Sequence, residues 1–354
     1  MSREKSHINH LKISKFLFLF LFALPALVFA GGGDKEGHGD DHGDGGTFDP
    51  SPLINHHIGD SHSWEITEGI TVHLPVILYS EERGLDVFSS ANLYDEHHNE
   101  IPYNGYEMHH EKIHLEGGGH VWDLSLTKNV LFILFDAFFL LLVFTAVARG
   151  YRKNEGKAPK GIQAFFEPLI VFVRDDIAKA SIGEKYYERY LPFLLTVFFF
   201  IWFGNLLGLI PGGANMTGNI AITMTLAVIV LVITVFSGRK TYWLHIVDPL
   251  GSSMGWGGKF LLYLILWPVE IIGIFTKPFS LMVRLFANIT AGHILILSIL
   301  SLAFIFKSVA IGVVGALFAT AMNMLELFVA ILQAYVFTLL SAMYFGSAVE
   351  EAHH

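Results

Sequence analysis

Cysteine is missing from all 354 residues, which excludes disulfides, thiolate metal sites and cysteine nucleophiles. Charge is scarce as well. Only 16% of residues are Asp, Glu, Lys or Arg, where an ordinary globular chain carries about 25%. The shortage falls almost wholly after Leu126. With 53% hydrophobic residues and a mean hydropathy of +0.50, that part of the chain reads as several membrane spans. A net charge of −9 does not suggest a nucleic-acid partner. No GxxxxGK[ST] loop is present to cradle ATP, and no HExxH motif to hold a hydrolytic metal. The sequence therefore implies no cofactor.

What is present begins with a leader. Arg3, Lys5, Lys12 and Lys15 precede the apolar run Phe16–Val28, and Val28-Phe29-Ala30 ends it in a small-x-small pattern. The run is shorter than the ~20 residues of a span, which favours a cleaved signal over residues 1–30 against an uncleaved first helix. Residues 31–120 form a polar extension holding 12 of the 18 histidines. Gly31–Asp49 is too poor in apolar residues to fold, and strand-like pieces follow at Ile70–Leu78, Leu85–Phe88 and Glu111–Leu115. Two readings of the histidines stand: metal capture by His38, His42, His97, His98, His109 and His110, or a solvated extension. No ligand spacing is visible, which favours the solvated one.

Residues 121–354 form the membrane domain. Asn129–Ala148 is the first span, and Arg149, Arg152, Lys153, Lys157 and Lys160 after it mark the cytoplasmic side. Asp136 inside this span is expected to make a structural polar contact. Gly161–Lys179 carries too many charges to cross and suits an amphipathic helix along the surface. Tyr190–Ile210 and Asn219–Phe236 are further spans, the latter closed by Gly238-Arg239-Lys240. Thr241–Gly258 reads as a loop rich in Gly and Trp. Lys259–Ala303 and Val309–Met343 are both too long to stand upright, since 45 helical residues extend ~68 Å against a ~30 Å core. Two overlong segments in succession favour a long tilted hairpin over a break at Pro278. The fold class is thus an all-α polytopic membrane protein with about five crossings, an interfacial helix, and a partly β, partly disordered extracytoplasmic extension.

An ionised side chain at bilayer depth costs roughly 2.5–3.5 kcal/mol on insertion scales, so Arg284 within an apolar run is a candidate site. At about 100° per residue, Arg284, Asn288, Ala291 and Leu295 share one stripe, while His293 points the other way. On the next helix Asn323, Glu326, Ala330 and Gln333 share a stripe. The simplest packing lets His293 meet Glu326 between the helices and leaves Arg284 facing outward. Ala287, Ala291 and Gly292 would permit close approach of another helix. A His–Glu pair passes protons because both titrate within reach of neutrality. An arginine keeps its proton, attracts a partner's carboxylate and blocks a direct leak.

These residues carry a resemblance. Lys277-Pro-Phe-Ser-Leu-Met-Val-Arg284-Leu-Phe-Ala-Asn288-Ile-Thr-Ala-Gly292 resembles the signature of subunit a of the F-type ATP synthase, the proton-channel stator. Asn205-Leu-Leu-Gly-Leu-Ile-Pro, Asn219-Ile-Ala-Ile-Thr and Leu332-Gln-Ala-Tyr-Val-Phe resemble further blocks, and the likeness runs from Val121 to the end. The resemblance implies that Arg284 faces the c-subunit ring and that Asn288 and Gln333 are polar positions near it. It also implies that Glu270 belongs to a proton pathway and that His293 and Glu326 form the entry pair. Many bacterial members carry the acid first and the histidine second; here the order is exchanged. Expected partners are the c-ring, the b subunits of the peripheral stalk, the other ATP synthase subunits and the bilayer, with no nucleic acid. The expected location is the bacterial inner membrane, with the mature N-terminus periplasmic and the C-terminus cytoplasmic. The family does not predict the extension, whose His-rich and acidic composition would suit buffering near the channel mouth. The competing reading is a proton-coupled transporter or metal exporter, but no paired inverted halves are visible.

Overall fold

The computed structural model describes residues 59–67, 70–95, 100–109, 111–210, 213–248, 256–306 and 308–351. The signal segment and His38, His42, His97, His98 and His110 lie outside the described residues. Among the described residues, no three His, Asp or Glu side chains gather where they would hold a metal ion.

The N-terminal unit is small and β-rich. Strands β1 (Ser63–Thr67) and β2 (Ile70–His73) pair antiparallel, as do β5 (Tyr106–His109) and β6 (Lys112–Leu115). Between them, β3 (Pro75–Ser80) is flanked by β4 (Gly84–Ser89) and β7 (Val121–Asp123). Alternation buries one face: Val76, Leu78, Leu93, Tyr106, Met108, Ile113 and Leu115 make its core. Two details differ from the sequence reading. The run Ile70–Leu78 is broken at Leu74, because Pro75 has no N–H to continue the first ladder. The β unit also extends past residue 120, since Val121–Asp123 pairs with Leu78–Ser80.

This unit is bolted to the first membrane helix, α1 (Lys128–Lys153). The Asp60 carboxylate accepts from Thr127 Oγ1 (3.0 Å) and from the Asn129 backbone N–H (3.1 Å), so it caps the helix from outside. Burial pushes the Asp60 carboxyl up, and those hydrogen bonds pull against it. His62 Nε2 sits 2.9 Å from Asp123 Oδ2. Burial alone would lower the His62 value, but the hydrogen bond and charge of Asp123 carry it above its ordinary 6.5. Burial likewise opposes the lowering of Asp123 below 3.8 by His62. The signs give a window. The raised histidine contributes fully below about pH 6.5 and its contribution is lost as pH rises through the folded value; the depressed carboxyl contributes above about pH 3.8 and is lost on acidification. Between those limits, Asp123→Asn is expected to lower local stability by about 1–2 kcal/mol, discounted because Asp123 is one-third exposed. Amide exchange of β3 and β7 measured from pH 4 to 9 checks this. A variant as protected as the parent at pH 5.5 would remove the pair from the account.

Among the described residues, five helices are long and apolar enough to cross a membrane. They are α1, α3 (Tyr187–Gly208), α4 (Ile220–Ser237), α6 (Trp256–Phe306) and α7 (Val309–Val349). Helix α2 starts at Ile162–Phe172, passes through a π-helical stretch Val173–Lys179 and ends in Ala180–Ile182. It packs against α3 and the end of α7, burying Val173, Ile177 and Ala178 completely. Residues 241–258 are not all loop: α5 (Lys240–Val247) occupies their start. Phenylalanines fill the bundle core, with Phe144 and Phe166 edge-on to Phe199 at 4.7 and 5.7 Å. Several hydroxyls inside the spans bond back to their own helix, as Thr234 does to Val230 (2.7 Å) and Thr338 to Ala334 (2.7 Å). The end of α7 is latched. Arg239 and Lys185 each reach Glu351 at 2.7 Å, Tyr186 donates to the same carboxylate, and the group is pulled down to about 2.

Helices α6 and α7 are the predicted hairpin. Helix α6 runs unbroken through Pro268 and Pro278 for 51 residues, about 76 Å, and must tilt strongly to fit a ~30 Å core. Their register is antiparallel. Lys277 lies over the Tyr344 ring (5.7 Å), and eleven residues on Asn288 meets Gln333, eleven residues back.

Candidate functional site

The site lies along the α6–α7 seam and the connection between α3 and α4. His293 Nδ1 is 3.2 Å from Glu326 Oε1, and its Nε2 is 3.4 Å from the Gly208 carbonyl at the end of α3. A carbonyl can only accept, so Nε2 carries a proton in either charge state. The Nδ1 side is then free to take a proton from Glu326 or return it. Glu326 is 4% exposed, and its second oxygen, Oε2, has no partner among the described residues. Gly292 makes room for it: a Cβ there would overlap Glu326 Oε1. The helical-wheel contact between His293 and Glu326 is therefore formed, with the Gly208 carbonyl as a third member that the wheel did not reveal.

One turn after Arg284, Asn288 Nδ2 donates to Gln333 Oε1 at 3.0 Å. Gln333 is buried and spends its carbonyl on Asn288. Arg284 itself is exposed and makes no hydrogen bond or ion pair with any described residue, although its charge is felt by the Tyr344 hydroxyl. Ala287, Asn288, Ala291 and Leu295 are exposed along with it. Val283, Phe279, Leu325 and Phe328 on the same hairpin are exposed too, so Arg284 sits in a broad apolar flank. The small residues divide accordingly. Gly292 faces Glu326, whereas Ala287 and Ala291 border the open face. Glu270 lies near Tyr242 of α5, whose hydroxyl is raised by burial and by that carboxylate.

A second polar group stands behind His293. Thr217 Oγ1 donates to Asn205 Oδ1 (2.6 Å), and Asn215 caps the short turn Met216–Gly218. Asn219 then caps α4 by accepting from Ala221 N (2.9 Å). Asp136 does not make the structural contact expected of it. It is fully buried, and both its oxygens lack a partner among the described residues. Each unsatisfied buried polar atom costs about 1–3 kcal/mol, so chance packing is a poor account of such a group.

A polytopic helical bundle with a buried acid–base pair, and with an arginine on its apolar flank that no described residue neutralises, defines an ion-translocating membrane subunit. The ATP synthase A chain family model matches residues 130–346, and a domain of unknown function (DUF8433) matches residues 53–129. Curated relatives agree. ATP synthase subunit a of Chloroherpeton thalassium is 46% identical over 241 residues, 68% of this chain and 71% of the relative. ATP synthase subunit a 2 of Chlorobaculum tepidum is 48% identical over 242 residues, 66% of each chain. Myxococcus xanthus subunit a is 44% identical over 235 residues, 66% of this chain and 75% of the relative. The chain belongs to the ATP synthase A chain family. It is thus the proton-channel stator subunit of the membrane sector, a partner of other ATP synthase subunits and not itself catalytic.

Proposed function

We propose that Arg284 faces a ring of c subunits and separates two proton half-channels, one ending at the His293–Glu326 pair and the other near Glu270. The observation that carries this reading is the exposure of Arg284, unpaired among the described residues, on an apolar flank bordered by Ala287 and Ala291. A charge left open towards lipid is costly, and a carboxylate on a neighbouring helix is what would satisfy it. Glu270 precedes Arg284 by 14 residues, about 21 Å along α6. His293 follows it by nine, about 13 Å, on the opposite face. A proton arriving through His293 and Glu326 would load a c-ring carboxylate. Rotation would carry that carboxyl round to the Glu270 side, and Arg284 would hold the emptied carboxylate ionised as it passes. Asn288 and Gln333 fix the helix pair beside the arginine.

The same reading puts the complex in the bacterial inner membrane, with b subunits of a peripheral stalk holding this subunit still. Arg149, Arg152, Lys153, Arg239 and Lys240 would face the cytoplasm with the C-terminus, after removal of residues 1–30. Residues 31–120, together with β7, would lie outside, ahead of the membrane helices that begin at Lys128. Because this chain has no cysteine, cross-linking tests the face directly. In the assembled complex, Ala291→Cys is expected to form a disulfide with a cysteine placed beside the ring carboxylate, and Ala330→Cys, 1% exposed, is not. Equal or absent cross-linking from both positions would overturn the placement.

A further inference from the structure

We propose that Asp136 is a proton-carrying carboxylate on the path that feeds His293 and Glu326, a role that rests on the channel reading above. Three observations converge on it. First, Asp136 is 0% exposed, and no described residue hydrogen-bonds or ion-pairs with either oxygen. A buried carboxylate held for structure is normally hydrogen-bonded or paired with a cation. Second, the other partnerless polar atoms buried in the described spans are not scattered. Apart from the Tyr190 hydroxyl, they are Asn205 Nδ2, Thr290 Oγ1 and Glu326 Oε2. Third, these side chains line one route around the α3–α4 connection.

The route can be followed residue by residue. A Cβ at Gly204 would lie 3.7 Å from Asp136 Oδ2 and would overlap the Met216 methyl, so the carboxylate abuts α3 at a glycine whose side-chain position Met216 occupies. The next residue, Asn205, holds Thr217 through its oxygen and leaves its amide N–H groups free. Thr217 is followed by Gly218, where an added Cβ would lie 3.5 Å from Thr290 Oγ1 on α6. Thr290 sits three residues before His293, on the same side of α6, and His293 reaches the Gly208 carbonyl and Glu326. Unpaired donors and acceptors arranged in this way are the groups that ordered water bridges inside proteins.

The chemistry is a proton transfer without redox change. The Asp136 carboxyl gives its proton to a bridging water, whose own proton moves on towards Glu326. The carboxylate is then reprotonated from the side of the membrane where α1 begins. Asn205, Thr217 and Thr290 orient the waters and do not titrate. Asp136 is therefore a relay, whereas Asn205 and the two threonines are positioning residues.

The test uses the complete ATP synthase in inverted vesicles. Asp136→Asn keeps the shape and removes the proton, and is expected to lower both ATP-driven proton pumping and ATP synthesis by about tenfold or more. Asp136→Glu is expected to recover most of that loss. Asp136→Cys would be the sole thiol of this chain and is expected to react with a small water-soluble methanethiosulfonate, whereas Leu140→Cys, one turn on and 4% exposed, is not. Wild-type pumping by Asp136→Asn overturns the proposal. So does a thiol at position 136 as unreactive as that at 140, which decides the matter if the amide variant assembles poorly. Arg284→Ala assayed alongside separates the two readings. If it uncouples while Asp136→Asn does not, the channel assignment stands and only this path falls.

Discussion

Arg284→Ala is expected to reduce ATP synthesis by about 10²–10³-fold while the complex still assembles. The first half of that expectation comes from electrostatics. A guanidinium stays charged at any physiological pH, so it is a fixed positive charge at bilayer depth. Opposite a carboxylate at about 4 Å it supplies about 4 kcal/mol at an effective dielectric of 20, enough to move an ionisation equilibrium by about three powers of ten. Without it a ring carboxylate would pass the stator still protonated, and proton movement would no longer require rotation. The second half comes from packing. Arg284 is exposed and forms no hydrogen bond or ion pair with a described residue, so its removal leaves no orphaned partner among those residues. Membrane insertion becomes easier by roughly 2.5–3.5 kcal/mol. Arg284→Lys keeps a charge but loses the planar fork and accepts deprotonation in an apolar setting, so it is expected to rescue poorly. Synthesis and passive proton leak are measured together in vesicles of equal complex content. Normal synthesis by Arg284→Ala would remove the arginine from the coupling step.

Much of this arrangement is legible in the sequence because membrane helices obey few rules. Length and hydropathy place the five crossings within a few residues, since every backbone polar group in lipid must bond within its own helix. Helical spacing alone puts Arg284 and His293 on opposite faces of α6, and Glu326 in line with Gln333 on α7. The unbroken course of α6 through Pro278 also follows from length, as two overlong segments in series fit a tilted pair. What stays hidden depends on contacts between distant elements. The Gly208 carbonyl that fixes the His293 tautomer comes from 85 residues away and is a backbone atom, which no side-chain pattern marks. Asn288 bonding to Gln333 requires the α6–α7 register, which a wheel does not give. Asp136 reads as an ordinary helix contact until its surroundings show that no described residue hydrogen-bonds to it. The β unit is legible only in part, at β2, β3, β4 and β6, and for a different reason. Strands of three to six residues give weak periodicity, and β1, β5 and β7 carry too few alternations to stand out.

Glu326→Gln and His293→Ala are each expected to lower synthesis by about 10²-fold, the usual contribution of one well-placed proton donor or acceptor. The glutamine keeps the volume that Gly292 accommodates and can still hydrogen-bond His293, so a loss would report the missing proton rather than a lost contact. Wild-type synthesis by Glu326→Gln would take the pair off the path. The exchanged order of acid and base permits a sharper experiment. The double variant His293→Glu with Glu326→His restores the acid-first order while keeping one of each group. It does not restore the third member of the site. A carboxylate at position 293 would face the Gly208 carbonyl, and two acceptors cannot share a hydrogen bond unless the carboxyl is protonated. An unmatched buried acceptor costs about 1–3 kcal/mol, roughly five- to 150-fold. The double variant should therefore exceed either single variant and fall short of the parent by about tenfold. Full recovery would mean that the Gly208 carbonyl contributes nothing to holding the proton on Nε2, and that proximity of the two titrating groups is all the pair requires.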